Sequence, residues 1–208
     1  MKILETKAVL LIALVAIFAV LGSYFTMVVP LIDPDLNNPG KDTTQYTELQ
    51  LQGKKVYQRE GCVYCHTQQV RNLLFDAQRY GMGEVETMKR FKVSAHILAP
   101  PTQAGEIAYD SPHLLGTRRT GPDLARVGGK YDNTWHINHF KDPRYTTPGS
   151  LMVRFSWFFD KNGKPTQDLV ALIAYLQKLG TNLNWREQGV EQYVKLNGDD
   201  AAGKTSAQ

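Results

Sequence analysis

The chain has 208 residues, a net charge of +4, 42% apolar and 21% charged side chains. That is enough for one globular domain with an appendage, or two small domains, and the apolar share excludes a disordered chain. There is no Lys/Arg-rich run and no internal repeat, so the modest positive charge does not describe a nucleic-acid surface.

From Ala8 to Ile32 the sequence AVLLIALVAIFAVLGSYFTMVVPLI is free of charge. About 20 apolar residues suffice to span a bilayer as a helix. A cleaved signal peptide has a shorter apolar region, of about 7–15 residues, and then a small-residue cleavage site; here the run ends in Met27-Val28-Val29-Pro30. A retained transmembrane anchor over residues 1–32 is therefore expected. Lys2 and Lys7 precede it, while Asp33 and Asp35 follow. The positive-inside rule then leaves the N-terminus in the cytoplasm and exports the rest.

Residues 33–45, rich in Pro, Asn, Asp and Gly, read as a linker. A domain is expected over 46–196. Its first helix begins at a cap on Thr43 or Thr44, carries Leu49, Val56 and Tyr57 near one face, and runs to Gly61. Gly53 interrupts that face and suits a close helix crossing. A shorter helix is expected from Asn133 to about Phe140. The clearest helical pattern is near the end, where Leu169, Leu172, Ile173 and Leu176 recur at helical spacing. Thr166 is its expected cap, Asp168 lies in its first turn, and Gly180 stops it. The tail from 197 to 208 is polar and reads as disordered. Strand patterns are scarce, so the fold class expected is all-α, with long loops.

Both cysteines of the chain fall in Arg59-Glu-Gly-Cys62-Val-Tyr-Cys65-His66. Four readings compete. A structural zinc site wants four ligands, and no second cysteine pair exists. A redox dithiol needs a βαβ setting that is absent. Chance placement is the third. The fourth is one covalent haem c, with thioether bonds from Cys62 and Cys65 and the His66 imidazole beneath the iron. The spacing and the exported position favour this last reading.

Candidates for a second iron ligand are Met82, Met88, Met152, His96, His113, His136 and His139. Met152 lies in a Pro/Gly loop with apolar neighbours just before the last helix, where a loop can fold over a haem face, and it is the expected ligand. A methionine there favours electron transfer over substrate binding. Arg118, Arg119, Arg126 and Lys130 surround the Gly121-Pro122 turn and are candidates for contacts with haem propionates, since a guanidinium offers a planar donor fork. The competing reading is a solvated basic face. There is no candidate catalytic pair and no phosphate loop. The stretch between Thr67 and Thr120 is long for a loop without structure of its own.

The order of first helix, haem motif, Thr120-Gly-Pro-Asp-Leu124 loop, methionine loop and last helix resembles class I cytochromes c. That resemblance implies crossed terminal helices, and a Pro122 carbonyl that accepts the Nδ1–H of His66. Over most of the chain, the anchor, VVPL, REGCVYCHTQQVR, RYG, GEIAYD, RRTGPDLARVGGKY and the DPR segment are together similar to the mono-haem subunit of cbb-type cytochrome c oxidases. The resemblance implies a bacterial cytoplasmic-membrane protein with its haem domain in the periplasm. It implies a non-catalytic subunit that passes electrons from a di-haem cytochrome c subunit or a soluble cytochrome c to the catalytic haem–copper subunit. Val153 follows Met152 where the family has proline, Val70-Arg71-Asn72 stands where it has IRP, and 82–104 is longer. The alternatives are the haem c subunit of nitric oxide reductase, a free-standing anchored cytochrome, and a haem-based gas sensor.

Overall fold

The structure, a computed structural model, describes residues 2–81 and 98–186. Met82, Met88, His96, most of the long 82–104 segment and the expected disordered tail lie outside the described residues. Within them the chain is helical, and its sole strand-like pairing is an isolated bridge between Phe159 and Pro165.

Helix α1 spans Lys2–Ser23. A widened turn over Tyr24–Val28 and one further turn over Val29–Ile32 continue it. Pro30 supplies no N–H to this stretch, and the Thr26 hydroxyl donates to the Gly22 carbonyl at 2.7 Å. Lys7–Ile32 is long and apolar enough to cross a membrane, and none of its most apolar window is covered by the rest of the chain. Its last carbonyls are not left bare: the Asn37 side-chain amide donates to Pro30, Leu31 and Asp33. The segment read as a linker is held against the domain, because Gly40 N–H donates to the Gly105 carbonyl at 2.9 Å and Thr43 Oγ1 donates to the same oxygen.

Helix α2 spans Glu48–Arg59. Its cap is Thr47 rather than Thr43 or Thr44. Thr47 and Gln50 form a reciprocal capping box, in which each side chain accepts the other's backbone N–H. Thr43 and Thr44 are engaged elsewhere, Thr44 accepting from Lys178 Nζ. Helix α3 spans Leu74–Tyr80, α4 Asn133–Lys141, α5 Pro143–Thr146 and α6 Gln167–Lys178. Asp132 caps α4 by accepting the Trp135 N–H. Thr166 occupies the cap position of α6 as expected, but its side chain makes no capping bond. Gly180, with φ +79°, follows the end of α6.

The core is the α2–α6 crossing. Val56 and Tyr57 meet Leu169, Leu172, Tyr175 and Leu176, all buried, and Phe140, Phe155 and Phe158 extend the cluster. Tyr57 and Tyr175 pack edge to face at 5.5 Å. Lys54 points inward as well, where a lone ammonium is costly. It is paired with Asp110 at 2.6 Å and donates to the Pro112 carbonyl at 2.8 Å.

Gly53 permits the crossing. A Cβ there would lie 1.9 Å from the Ala171 carbonyl oxygen and 2.8 Å from Tyr175 Cβ. The first is backbone and cannot swing away. Gly53→Ala is therefore expected to cost about 3 kcal/mol or more by forcing the helices apart, despite alanine's better helix propensity. Urea unfolding checks it, and an unchanged or higher midpoint would contradict the packing.

Candidate cofactor site

The segment carrying both cysteines leaves α2 through Gly61 and makes one tight turn over Cys62–Tyr64. The turn closes with the Cys65 and His66 N–H groups both donating to the Cys62 carbonyl, at 3.1 and 2.9 Å. Cys62, half-buried, and Cys65, exposed, are free thiols. Burial pushes the Cys62 thiol up to about 12, with the Glu60 charge adding to it. A reactive redox dithiol needs the opposite shift. Among the described residues no three His, Cys, Asp or Glu side chains gather as a metal site.

The residues after His66 run beside the Gly121-Pro122 turn and are stitched to it. Gly121 N–H donates to the Cys65 carbonyl at 2.9 Å, and Leu124 N–H to the Thr67 carbonyl at 2.8 Å. Between these two bonds, His66 Nδ1 lies 2.7 Å from the Pro122 carbonyl oxygen. A carbonyl only accepts, so Nδ1 carries a proton, and in the neutral ring Nε2 keeps its lone pair. Burial lowers the His66 pKa, and the Pro122 bond and the Asp123 charge oppose that shift. In its neutral form the imidazole is fixed in one tautomer and presents an unprotonated Nε2.

Gly121 lies directly against this ring. A Cβ on it would stand 2.2 Å from His66 Cε1 and 2.7 Å from Nδ1. The reason for glycine here is space.

Met152 is half-buried and packs on the core cluster, while its neighbours Leu151 and Val153 are 77% and 59% exposed. One side chain of the three thus turns inward. The loop carrying it is tied to α4 at its far end, where Phe155 N–H donates to the Phe140 carbonyl and Arg154 pairs with Asp142 at 2.7 Å.

The two α4 histidines differ. His136 is buried, without a partner at Nε2. Burial, aided by the neighbouring His139, pulls its pKa down to about 4. His139 Nδ1 sits 2.6 Å from the Thr146 hydroxyl, which itself donates to the Pro143 carbonyl. Its ring stacks on Trp135 at 4.6 Å, and Trp135 stacks on Tyr131 at 3.9 Å. His139 is also drawn down to about 4, by burial first and by His66 second. His113 is exposed.

The basic residues divide. The Arg119 guanidinium is engaged with Asp76, Thr67 and the Gln69 carbonyl. Arg126, buried, donates to Glu106 at 3.0 Å and to the Ala125 and Pro100 carbonyls. Both guanidiniums are thus engaged within the protein, although Arg126 Nε is buried without a hydrogen-bond partner. Arg118 is exposed and Lys130 half-buried, its ammonium 5.8 Å from the Tyr131 ring centre. The partners Asp76 and Glu106 were not singled out in the sequence, since lone acids in mixed stretches carry no local signal.

A helical domain with an apolar N-terminal helix, two unpaired thiols and an oriented imidazole has the make-up of an anchored cytochrome. Residues 1–167 match the family described as cytochrome c oxidase, mono-heme subunit/FixO. The chain belongs to that family, and is thus a subunit of a cytochrome c oxidase complex whose name implies one haem. Among curated proteins there is no match. The residues present fit such a group: His66 offers a neutral nitrogen, Cys62 and Cys65 offer free thiols within one turn, and Gly121 keeps the ring's flank clear.

Proposed function

We propose that the chain relays single electrons within a cbb-type oxidase. It receives them from a cytochrome c donor or a di-haem subunit and delivers them to the catalytic haem–copper subunit, which reduces oxygen to water. Cys62 and Cys65 hold the haem through thioether bonds, His66 is the proximal iron ligand and Met152 the distal one. When bound, the haem supplies a one-electron ferric/ferrous couple. The chain's own residues position and tune it and do no bond chemistry, so the enzyme is the complex. Pro122 fixes the His66 ring and raises its basicity as a ligand. Arg118 and Lys130 remain available to meet propionates. Helix α1 and its continuation anchor the domain in the bacterial cytoplasmic membrane, with the N-terminus inside and the haem domain in the periplasm.

The observation that carries this reading is the 2.7 Å approach of His66 Nδ1 to Pro122 beside two free thiols, in a chain of the oxidase family. The test is an oxygen pulse on the purified, fully reduced complex. Oxidation of the haem c absorbance at the rate of turnover is expected. Oxidation by nitric oxide but not by oxygen would move the chain to a nitric oxide reductase. Purification without a multi-spanning haem–copper subunit would make it a free-standing carrier.

A further inference from the structure

A chain of polar contacts, with Thr67, Asp123 and Asp76 buried, flanks the His66–Pro122 bond. Thr67 directly follows His66, and Asp123 directly follows Pro122. The Thr67 hydroxyl donates to Asp123 Oδ2 in a short hydrogen bond. The same carboxylate accepts the Gln69 and Ala125 N–H groups, each at 2.8 Å. Arg119 Nε donates to Thr67 Oγ1 at 2.7 Å, and one of its terminal nitrogens donates to the Gln69 carbonyl. Its two terminal nitrogens meet the two Asp76 oxygens at 2.9 Å each. Asp76 is wholly buried on α3 and accepts Nε, a terminal nitrogen and the backbone N–H of Arg71 as well. These guanidiniums, Arg71 first and Arg119 second, hold its carboxyl well below the usual carboxylate range.

This is more than is needed to bury one aspartate. Bidentate arginine–carboxylate geometry fixes direction as well as distance. Here it aims Nε at a threonine whose hydroxyl passes the constraint to the residue next to Pro122. The two segments that carry the imidazole and its acceptor are thereby clamped one residue beyond their contact.

We propose that Arg119, oriented by Asp76 and acting through Thr67 and Asp123, is a positioning residue that holds the Pro122 carbonyl on His66 Nδ1–H and so sets the reduction potential of the centre. The inference rests on the reading of His66 as the proximal haem ligand. A firm Nδ1–H bond increases the imidazole's donation and stabilises ferric iron. Loosening the clamp raises the potential.

Thr67→Val removes the relay without changing charge, and Thr67→Ser restores the hydroxyl. Asp76→Asn releases Arg119 at constant shape. Glu106→Gln, which disturbs the buried Arg126 pair elsewhere, controls for general loosening. The measurement is a potentiometric titration of the haem absorbance in the intact complex, with urea unfolding of each variant in parallel. Thr67→Val and Asp76→Asn are expected to raise the midpoint potential, with Thr67→Ser at the wild-type value and Glu106→Gln less stable yet unshifted. Should Thr67→Val fail to assemble, Asp76→Asn decides. Unshifted potentials in the assembled variants overturn the proposal, and so does a rise shared by Glu106→Gln. Absence of covalent haem in the wild type would instead remove the reading on which it rests.

Discussion

Gly121→Ala is expected to break the hold of His66 on its ligand. The added Cβ would stand 2.2 Å from Cε1, 2.7 Å from Nδ1 and 2.9 Å from Nε2. Neither side has room to yield. The Gly121 N–H is bonded to the Cys65 carbonyl, and the next carbonyl, Pro122, is the acceptor of the ring. Moving the loop breaks both bonds, and moving the ring breaks the second and misdirects Nε2. Loss of an outer partner of this kind typically costs about 10- to 100-fold in metal affinity or activity, and here the ring itself is displaced. The variant should accumulate little assembled cytochrome, and what assembles should show a high-spin ferric spectrum. A wild-type spectrum and yield would mean the ring does not lie where Gly121 is needed.

Met152→His is expected to lower the reduction potential, by roughly 0.1 V or more within the roughly 0.8 V that axial ligands span. A neutral thioether favours ferrous iron relative to a second imidazole. At about 59 mV per tenfold for one electron, that shift moves the electron equilibrium with any fixed donor by more than tenfold. Met152→Ala should also abolish the weak far-red band of methionine-ligated ferric haem. The geometry favouring Met152 is local: it faces inward between two exposed neighbours, in a loop tied to α4. Retention of the band in Met152→Ala, with its loss in Met82→Ala or Met88→Ala, would transfer the distal role to the 82–104 segment.

What the sequence discloses tracks how local each constraint is. The α2–α6 core was legible because the apolar spacing of Leu169, Leu172, Ile173 and Leu176 and the lone Gly53 are local signals of packing. The grouping of Cys62, Cys65 and His66 was legible because the two thiols and the imidazole are neighbours in the chain. The Thr47 cap was legible but was passed over for Thr43 or Thr44. Gln50, three residues on, completes a capping box that outweighs the earlier threonines. The Pro122 contact came only through family resemblance, since its partner is 56 residues away and no periodicity encodes the meeting. Arg119 and Arg126 show the limit. Their charge and position were visible, but whether a guanidinium remains open depends on which acids the fold delivers. Asp76 and Glu106 arrive from 43 and 20 residues away.

The central claim is covalent haem c on Cys62 and Cys65, and acid-acetone extraction of the denatured full-length chain tests it most directly. The haem should stay with the protein at one per chain, and it should be absent from the doubly substituted Cys62→Ala, Cys65→Ala chain. Complete extraction of haem from the wild-type protein would contradict the claim.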